Sequence, residues 1–281
     1  MGKIHDALEK AKRESLLINK GLRESIPHDE PGDEGPIPQT PVVTLPEVSQ
    51  PKTKKRIFKR KKKGYLKDTD SLVTEQFKIL KTRILHTHNG NPPRTLLIAS
   101  ALPLEGKSMV AANLAISLAQ GIREHVLLVD CDFRKPDLHK LFGLAPEKGL
   151  ADYLSGNADL PEVLLKTDTP KLTLLPVGKK PSNPVDLLAS EEMKHLIQEL
   201  KTRYNDRYII FDSTPIQLTS EPTVLLSQVE GVILVVKAGK TDREMVLRII
   251  QDIEKEKLLG IVLNGLEKSL STSYYYYYRY Y

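Results

Sequence analysis

Six short runs of nearly continuous valine, isoleucine and leucine set the strongest limit on how this chain can fold. They are Thr95–Ser100, His125–Asp130, Lys171–Pro176, Arg207–Asp212, Gly231–Val236 and Gly260–Asn264. Apolar runs of this length without polar alternation fit strands covered on both faces. Helical patterns lie between them, at Ser108–Gln120, Glu191–Arg203 and Asp242–Lys257. A further helix is expected over 71–88, where Leu72, Phe77, Leu80, Ile84 and Leu85 repeat on one stripe. Strands alternating with helices specify an α/β fold with a doubly wound, mostly parallel sheet.

The rest of the chain differs in composition. With 281 residues and 40% hydrophobic content, a sizeable core is affordable. Residues 3 to about 18 read as a short amphipathic helix, and 20–51 as a disordered linker broken by seven prolines from Pro27 to Pro51. Between 52 and 63 come nine lysines and arginines and no acid, which turn a remainder of −3 into the net +6. The folded part is expected from Tyr65. The divisions are 1–64 (helix, linker and basic run), 65–270 (folded domain) and 271–281 (tail). Seven of the 11 tyrosines crowd that tail: Tyr274, Tyr275, Tyr276, Tyr277, Tyr278, Tyr280 and Tyr281. One cysteine excludes a disulfide framework and suits a reducing compartment. No apolar run is long enough for a membrane span, and the N-terminus lacks the apolar region of a secretory signal. Asp6 stands where a myristoylation motif wants serine or threonine.

The clearest chemical signal follows the first strand. Ala101, Leu102, Pro103, Leu104, Glu105, Gly106, Lys107 and Ser108, with Met109 after them, fit G-x-x-x-x-G-K-[ST] except that Ala101 replaces the first glycine. On a strand–loop–helix unit, the loop N–H groups would face a phosphate chain at a helix N-terminus. Gly106 permits close approach, Lys107 would reach the β- and γ-phosphates, and Ser108 would hold Mg²⁺. A chance Gly-Lys-Ser is the plain alternative, and the strand before and helix after weigh against it.

Carboxylates close two other strands. Val126–Val129 runs into Asp130-Cys131-Asp132-Phe133-Arg134, and Tyr208–Phe211 runs into Asp212. Ligands of open parallel sheets bind beyond the carboxyl ends of strands. Each aspartate alone could be a turn or cap residue. Asp130 and Asp132 together need a cation between them, or a proton on one. Asp212 is the natural Walker B residue.

These motifs resemble the bacterial tyrosine kinases (BY-kinases) of capsule and exopolysaccharide assembly, P-loop NTPases related to the ParA and MinD ATPases. Leu127–Arg134 is similar to their Walker A′ motif, and Asp212–Pro215 to their Walker B segment. Asn183–Leu188, Gly149-Leu150, Leu175–Gly178 and Gly260–Asn264 match further landmarks, over roughly 65–281. The resemblance implies an ATP- and Mg²⁺-dependent autokinase that phosphorylates its tyrosine tail in trans. It makes Asp130 the candidate base or Mg²⁺ organiser, with Asp132 and Asp212 holding the metal. Arg134 could pair with phosphate, with Asp132, or in a structural salt bridge. It also implies a cytoplasmic protein at the inner face of the membrane. Its partners would be a transmembrane, Wzz-like polysaccharide co-polymerase that activates it, and a tyrosine phosphatase. A homo-oligomeric ring is implied for the unphosphorylated state.

Two departures from the family pattern stand out, and a third position bears on its relatives. The E-x-x-R-x-x-R segment tied to ring assembly reads Glu75, Lys78 and Lys81, which keeps charge but loses the bidentate fork. Glu221-Pro222 replaces a common Asp-Ala. In the related ParA/MinD ATPases a signature lysine stands early in the phosphate loop, and Leu102 in that place counts against that branch. The alternatives are an ATPase switch of ParA/MinD type and a nucleotide-binding scaffold without kinase activity. The basic run, residues 52–63, could contact an anionic membrane surface or remain a solvated linker. Phe58 and Tyr65 are its only aromatic neighbours, too few for a nucleic-acid stacking platform.

Overall fold

The computed structural model describes residues 72–86, 91–203 and 206–266. The expected N-terminal helix, linker, basic run and tyrosine tail lie outside the described residues.

Helix α1 (Leu72–Leu85) is followed by β1 (Thr95–Ser100), α2 (Lys107–Ala119), β2 (His125–Asp130), α3 (Leu138–Leu141), α4 (Leu150–Leu154) and α5 (Leu160–Val163). Then come β3 (Leu165–Lys166), β4 (Leu172–Leu175), α6 (Pro184–Ala189), α7 (Glu191–Arg203) and β5 (Arg207–Asp212). The described chain ends with α8 (Glu221–Gln228), β6 (Gly231–Lys237), α9 (Arg243–Asp252) and β7 (Leu258–Asn264). The strands form one sheet in the order β3-β4-β2-β5-β1-β6-β7. Every pairing is parallel except β3 against β4. The order doubles back at β1, as a doubly wound sheet requires.

Successive residues of the central strands supply opposite faces. Leu97, Leu127, Ile209 and Leu234 pack under α7, α8 and α9, where Met193, Leu196, Leu225 and Ile249 are buried. Leu96, Leu128, Ile210 and Val235 face the other way, against α1 and α2. Eleven residues of α2 are buried, from Lys107 to Ala119. Its alanines 111, 112, 115 and 119 let the helix backbone sit close to the sheet. A helix apolar all round belongs in an interior, so its position follows from composition alone.

Helices α3, α4, α5, α6 and α8 add to those expected from sequence, and two further elements depart from the expectation. The helix expected over Asp242–Lys257 stops at Asp252, because Ile253 turns into extended backbone and buries its side chain in the core. The remaining residues make the turn that feeds β7, with Lys257 O accepting from Val232 N–H. The two-residue β3 has no sequence signature, being too short for periodicity.

Candidate active site at the carboxyl edge of the sheet

The loop from Ala101 to Gly106 joins β1 to α2 at the carboxyl edge. Ala101 is fully buried, and its φ is not positive, so the missing glycine is not needed for conformation. Positive φ occurs instead at Leu104 (64°) and Gly106 (93°). Leu104 projects into solvent, 79% exposed. Glu105 turns inward: its Oε2 accepts from the Leu102 N–H at 2.8 Å, and its Oε1 accepts from the Thr241 hydroxyl. Its carbonyl accepts from Asn264 Nδ2 at 2.7 Å. Thus the back of the loop is bolted to the turn after β6 and to the end of β7.

Lys107, on the first turn of α2, reaches toward the exits of β2 and β5. Its Nζ lies 2.8 Å from Asp132 Oδ2, 3.3 Å from Ser108 Oγ and 3.5 Å from Asp212 Oδ1. Burial alone would lower the Lys107 pKa, but the charges of Asp212 and Asp132 outweigh it and raise it. Asp130 and Asp212 are register partners on β2 and β5, both almost inaccessible. Asp130 Oδ1 accepts from Asp132 N–H at 3.1 Å and Oδ2 from Leu138 N–H at 3.3 Å, which shapes the loop after β2. Burial first, then the Asp212 charge, pushes the Asp130 pKa well up. Burial lifts Asp212 to about 6 despite the Lys107 ammonium. Asp212 Oδ1 is buried without a hydrogen-bond partner.

Arg134 leaves this cluster on the other side. Its Nε donates to Glu221 Oε1 at 3.0 Å, across to the first turn of α8. Glu221 is fully buried, and its second oxygen has no hydrogen-bond partner. Met109 is 40% exposed on the first turn of α2. The two strand exits are cross-linked by Cys131 N–H to Asp212 O at 2.8 Å, and the Walker B segment to the end of β1 by Ile216 N–H to Ser100 O at 2.9 Å.

The fold therefore gathers Lys107, Ser108, Asp130, Asp132 and Asp212 in one place. Among the described residues no cluster of three or more metal-ligating side chains is preformed. Mg²⁺ does not need one: it is commonly held by one or two carboxylates together with substrate phosphates. Asp132, Asp212 and Ser108 surround an ammonium that occupies a cation position, and Asp212 Oδ1, which the ammonium reaches only at 3.5 Å, makes no hydrogen bond. The residues present fit a metal–nucleotide.

The sequence model of the CobQ/CobB/MinD/ParA nucleotide-binding domain matches residues 104–277. Tyrosine-protein kinase YwqD of Bacillus subtilis is 35% identical over 209 residues, 74% of this chain and 87% of its own length. The chain belongs to the bacterial tyrosine kinases. The crystal structure of the chimerical protein CapA2B2 superposes with a TM-score of 0.67 at 30% identity, over 72% of this chain and 88% of that one. The septum site-determining protein MinD of Pyrococcus horikoshii, complexed with Mg-ADP, superposes at 0.52 over 62% of this chain and 72% of its own. At 24% identity that likeness shows the fold alone. Nucleotide binding is the shared property of the matching family.

Within this BY-kinase site, sequence reading finds the residues that close β1, β2 and β5 but not their supports. Asn264, Thr241 and Glu221 support the loop and Arg134 from sequence distances of 87 residues or more. Asn264 shares one legible signal with Asp130 and Asp212, a polar residue ending an apolar strand. No helix among the described residues is long and apolar enough to cross a membrane.

Proposed function

We propose that this kinase uses Mg²⁺–ATP to phosphorylate its own C-terminal cluster, Tyr274–Tyr278 with Tyr280 and Tyr281, in trans. The observation that carries the reading is the meeting of Lys107 with Asp132 and Asp212 at one sheet edge, beside a buried aspartate of raised pKa.

Residues Ser108, Asp132 and Asp212 would hold Mg²⁺, which when bound supplies positive charge to the phosphate oxygens. Lys107, released from Asp132 by the arriving phosphate, and the loop amides stabilise charge on the transferring group. A tyrosine hydroxyl has a pKa near ~10 and attacks poorly while protonated. We assign Asp130 as the carboxylate that receives that proton, since burial and the Asp212 charge raise its pKa and a more basic carboxylate is the better acceptor. The tyrosine Oη then bonds to the γ-phosphorus as its bond to the departing ADP oxygen breaks. Through its bond to Asp132 N–H, Asp130 also places the metal-binding carboxylate.

Each phosphotyrosine adds about −1.5 to −2 charge. A multiply phosphorylated tail would repel its neighbours and loosen a homo-oligomer assembled by tail insertion. In the cell we place this cycle at the inner face of the membrane. There a transmembrane polysaccharide co-polymerase would activate the kinase, a tyrosine phosphatase would reset it, and exopolysaccharide export would be the regulated output.

The test is incubation of the purified protein with Mg²⁺–ATP and the partner's cytoplasmic segment, followed by mass-spectrometric mapping of phosphotyrosine. Phosphate on Tyr274–Tyr281 that disappears in Lys107→Ala is expected. ATP hydrolysis with an unmodified tail would replace the kinase reading with an ATPase switch.

A further inference from the structure

The carboxyl edge carries positive charge that the phosphate site does not use. Lys135, Lys179 and Lys180 are exposed there. Their neighbours Lys140 and Lys148 are spent on Asp137 at 2.7 Å and Glu162 at 2.8 Å. Lys135, Lys179 and Lys180 make no ion pair among the described residues.

The positions of these lysines are fixed by the backbone. Lys135 N–H donates to Asp132 Oδ1 at 2.9 Å, so the residue is tied to a metal-binding carboxylate. Lys179 and Lys180 follow β4, the strand next to β2. Gly149 packs on Gly178 so closely that a Cβ on Gly149 would lie 2.2 Å from Gly178 N. Leu150 N–H donates to Pro176 O at 2.7 Å and Ala151 N–H to Val177 O at 3.0 Å. The buried Asp152 carboxylate accepts from Gly149 N–H at 2.9 Å and Lys179 N–H at 3.2 Å. From this anchor the chain runs exposed through Lys179, Lys180, Ser182 and Asn183 into α6. Helix α6 lies against α8, where Gln228 Nε2 donates to Leu188 O at 3.2 Å and Glu221 holds Arg134. The segment therefore passes along the edge that bears Asp130, Asp132 and Asp212. The next exposed carboxylate after the two lysines is Asp186, on α6.

The chemistry of the reaction supplies a use for this ledge. The site holds three aspartates and binds a polyanion, so a tail that already carries phosphate is repelled from it. Tyr274 to Tyr278 are consecutive, so every acceptor after the first sits within a few residues of a phosphotyrosine. At ~3.3 Å per residue in an extended chain, that phosphate lies within ~13 Å of the reacting hydroxyl. Lysine ammonium groups on a rigid backbone offset the repulsion through charge-assisted hydrogen bonds to phosphate oxygens.

We propose that Lys179 and Lys180, with Lys135 after the neighbouring strand β2 as a further cation, form a docking ledge for phosphotyrosine already present on the acceptor tail. The first phosphate on a tail then favours the next. This rests on the tail being the substrate, and the two ideas are tested by separate measurements.

The first measurement needs no catalysis. Fluorescent peptides spanning 266–281, unmodified or phosphorylated at Tyr280, are titrated with the full chain in Mg²⁺–ADP and followed by anisotropy. The phosphopeptide is expected to bind roughly tenfold more tightly than the unmodified one. That preference should vanish in Lys179→Ala/Lys180→Ala and weaken with salt. Equal binding of the two peptides, or a preference that survives the double substitution, overturns the ledge. So does a double variant that keeps the preference but no longer binds anionic phospholipid vesicles, which would assign the lysines to a membrane surface. The second measurement follows intact mass over time in Mg²⁺–ATP with the activating segment. The double variant should gain its first phosphate at the wild-type rate but accumulate the multiply phosphorylated species roughly tenfold more slowly. An unchanged distribution overturns the proposal. A wild-type protein that places no phosphate on its tail refutes the substrate reading alone, and the binding arm still judges the ledge.

Discussion

Replacing Gly106 by alanine tests how the phosphate loop is braced from behind. Gly106 has φ 93°, and a Cβ there would stand 2.2 Å from Asn264 Nδ2. Two costs follow. A non-glycine residue in left-handed backbone costs about 1–2 kcal/mol. The amide of Asn264 must retreat by about 1 Å to regain ordinary contact, which breaks its 2.7 Å hydrogen bond to Glu105 O. That bond is worth about 0.5–1.5 kcal/mol net. The sum is roughly 1.5–3.5 kcal/mol, a fall in melting temperature of about 3–14 °C for a domain of this size. Asn264→Ala alone should cost only the hydrogen bond. In the double variant that bond is already gone and the collision is relieved, so the total should fall short of the sum by about 0.5–1.5 kcal/mol. Thermal melts of the four proteins, without nucleotide and with Mg²⁺–ADP, measure the cycle. Strict additivity, or a Gly106→Ala protein as stable as its parent, would refute the brace.

Asp212 gives a pH signature. Its pKa rises on folding from 3.8 to about 6, so between those values the folded state holds a proton that the unfolded chain releases. The contribution to stability is fully present below 3.8 and is lost as pH rises through about 6. Urea midpoints across this window should therefore decline in the parent relative to Asp212→Asn, and an opposite slope would show that the site is not proton-coupled in this way. Arg134→Ala strands the fully buried Glu221 carboxylate. The half-exposed arginine puts the loss below the ~3–5 kcal/mol of a fully buried pair, at roughly 1–3 kcal/mol by urea denaturation. Arg134→Met/Glu221→Leu should recover most of it, and a double variant as unstable as Arg134→Ala would show that the unpaired charge is not the cause.

The strands were legible because each is covered on both faces, and an apolar run of about six residues has few other uses. The exit residues of β1, β2 and β5 were legible for a related reason. Asp130, Asp212 and the Gly-Lys-Ser turn interrupt apolar runs abruptly, and a charged group at such a boundary needs a specific partner. Element ends were less secure. The pattern of α9 continues to Lys257 in sequence, yet burial of Ile253 stops the helix at Asp252. Ala101 looked like a defect in the phosphate motif, but in the structure it is a buried core residue of ordinary backbone.

The sequence by itself determined the class of sheet, the strands that carry chemistry and the residue types at their ends. It did so because hydrophobic periodicity and strand-end polarity are local properties. Tertiary structure alone decided which groups meet. It placed Lys107 between Asp132 and Asp212, raised Asp212 through burial, set Asn264 behind Gly106 and paired Arg134 with Glu221. Those contacts join residues 25 to 159 positions apart, and they depend on strand order and register, which no local pattern encodes.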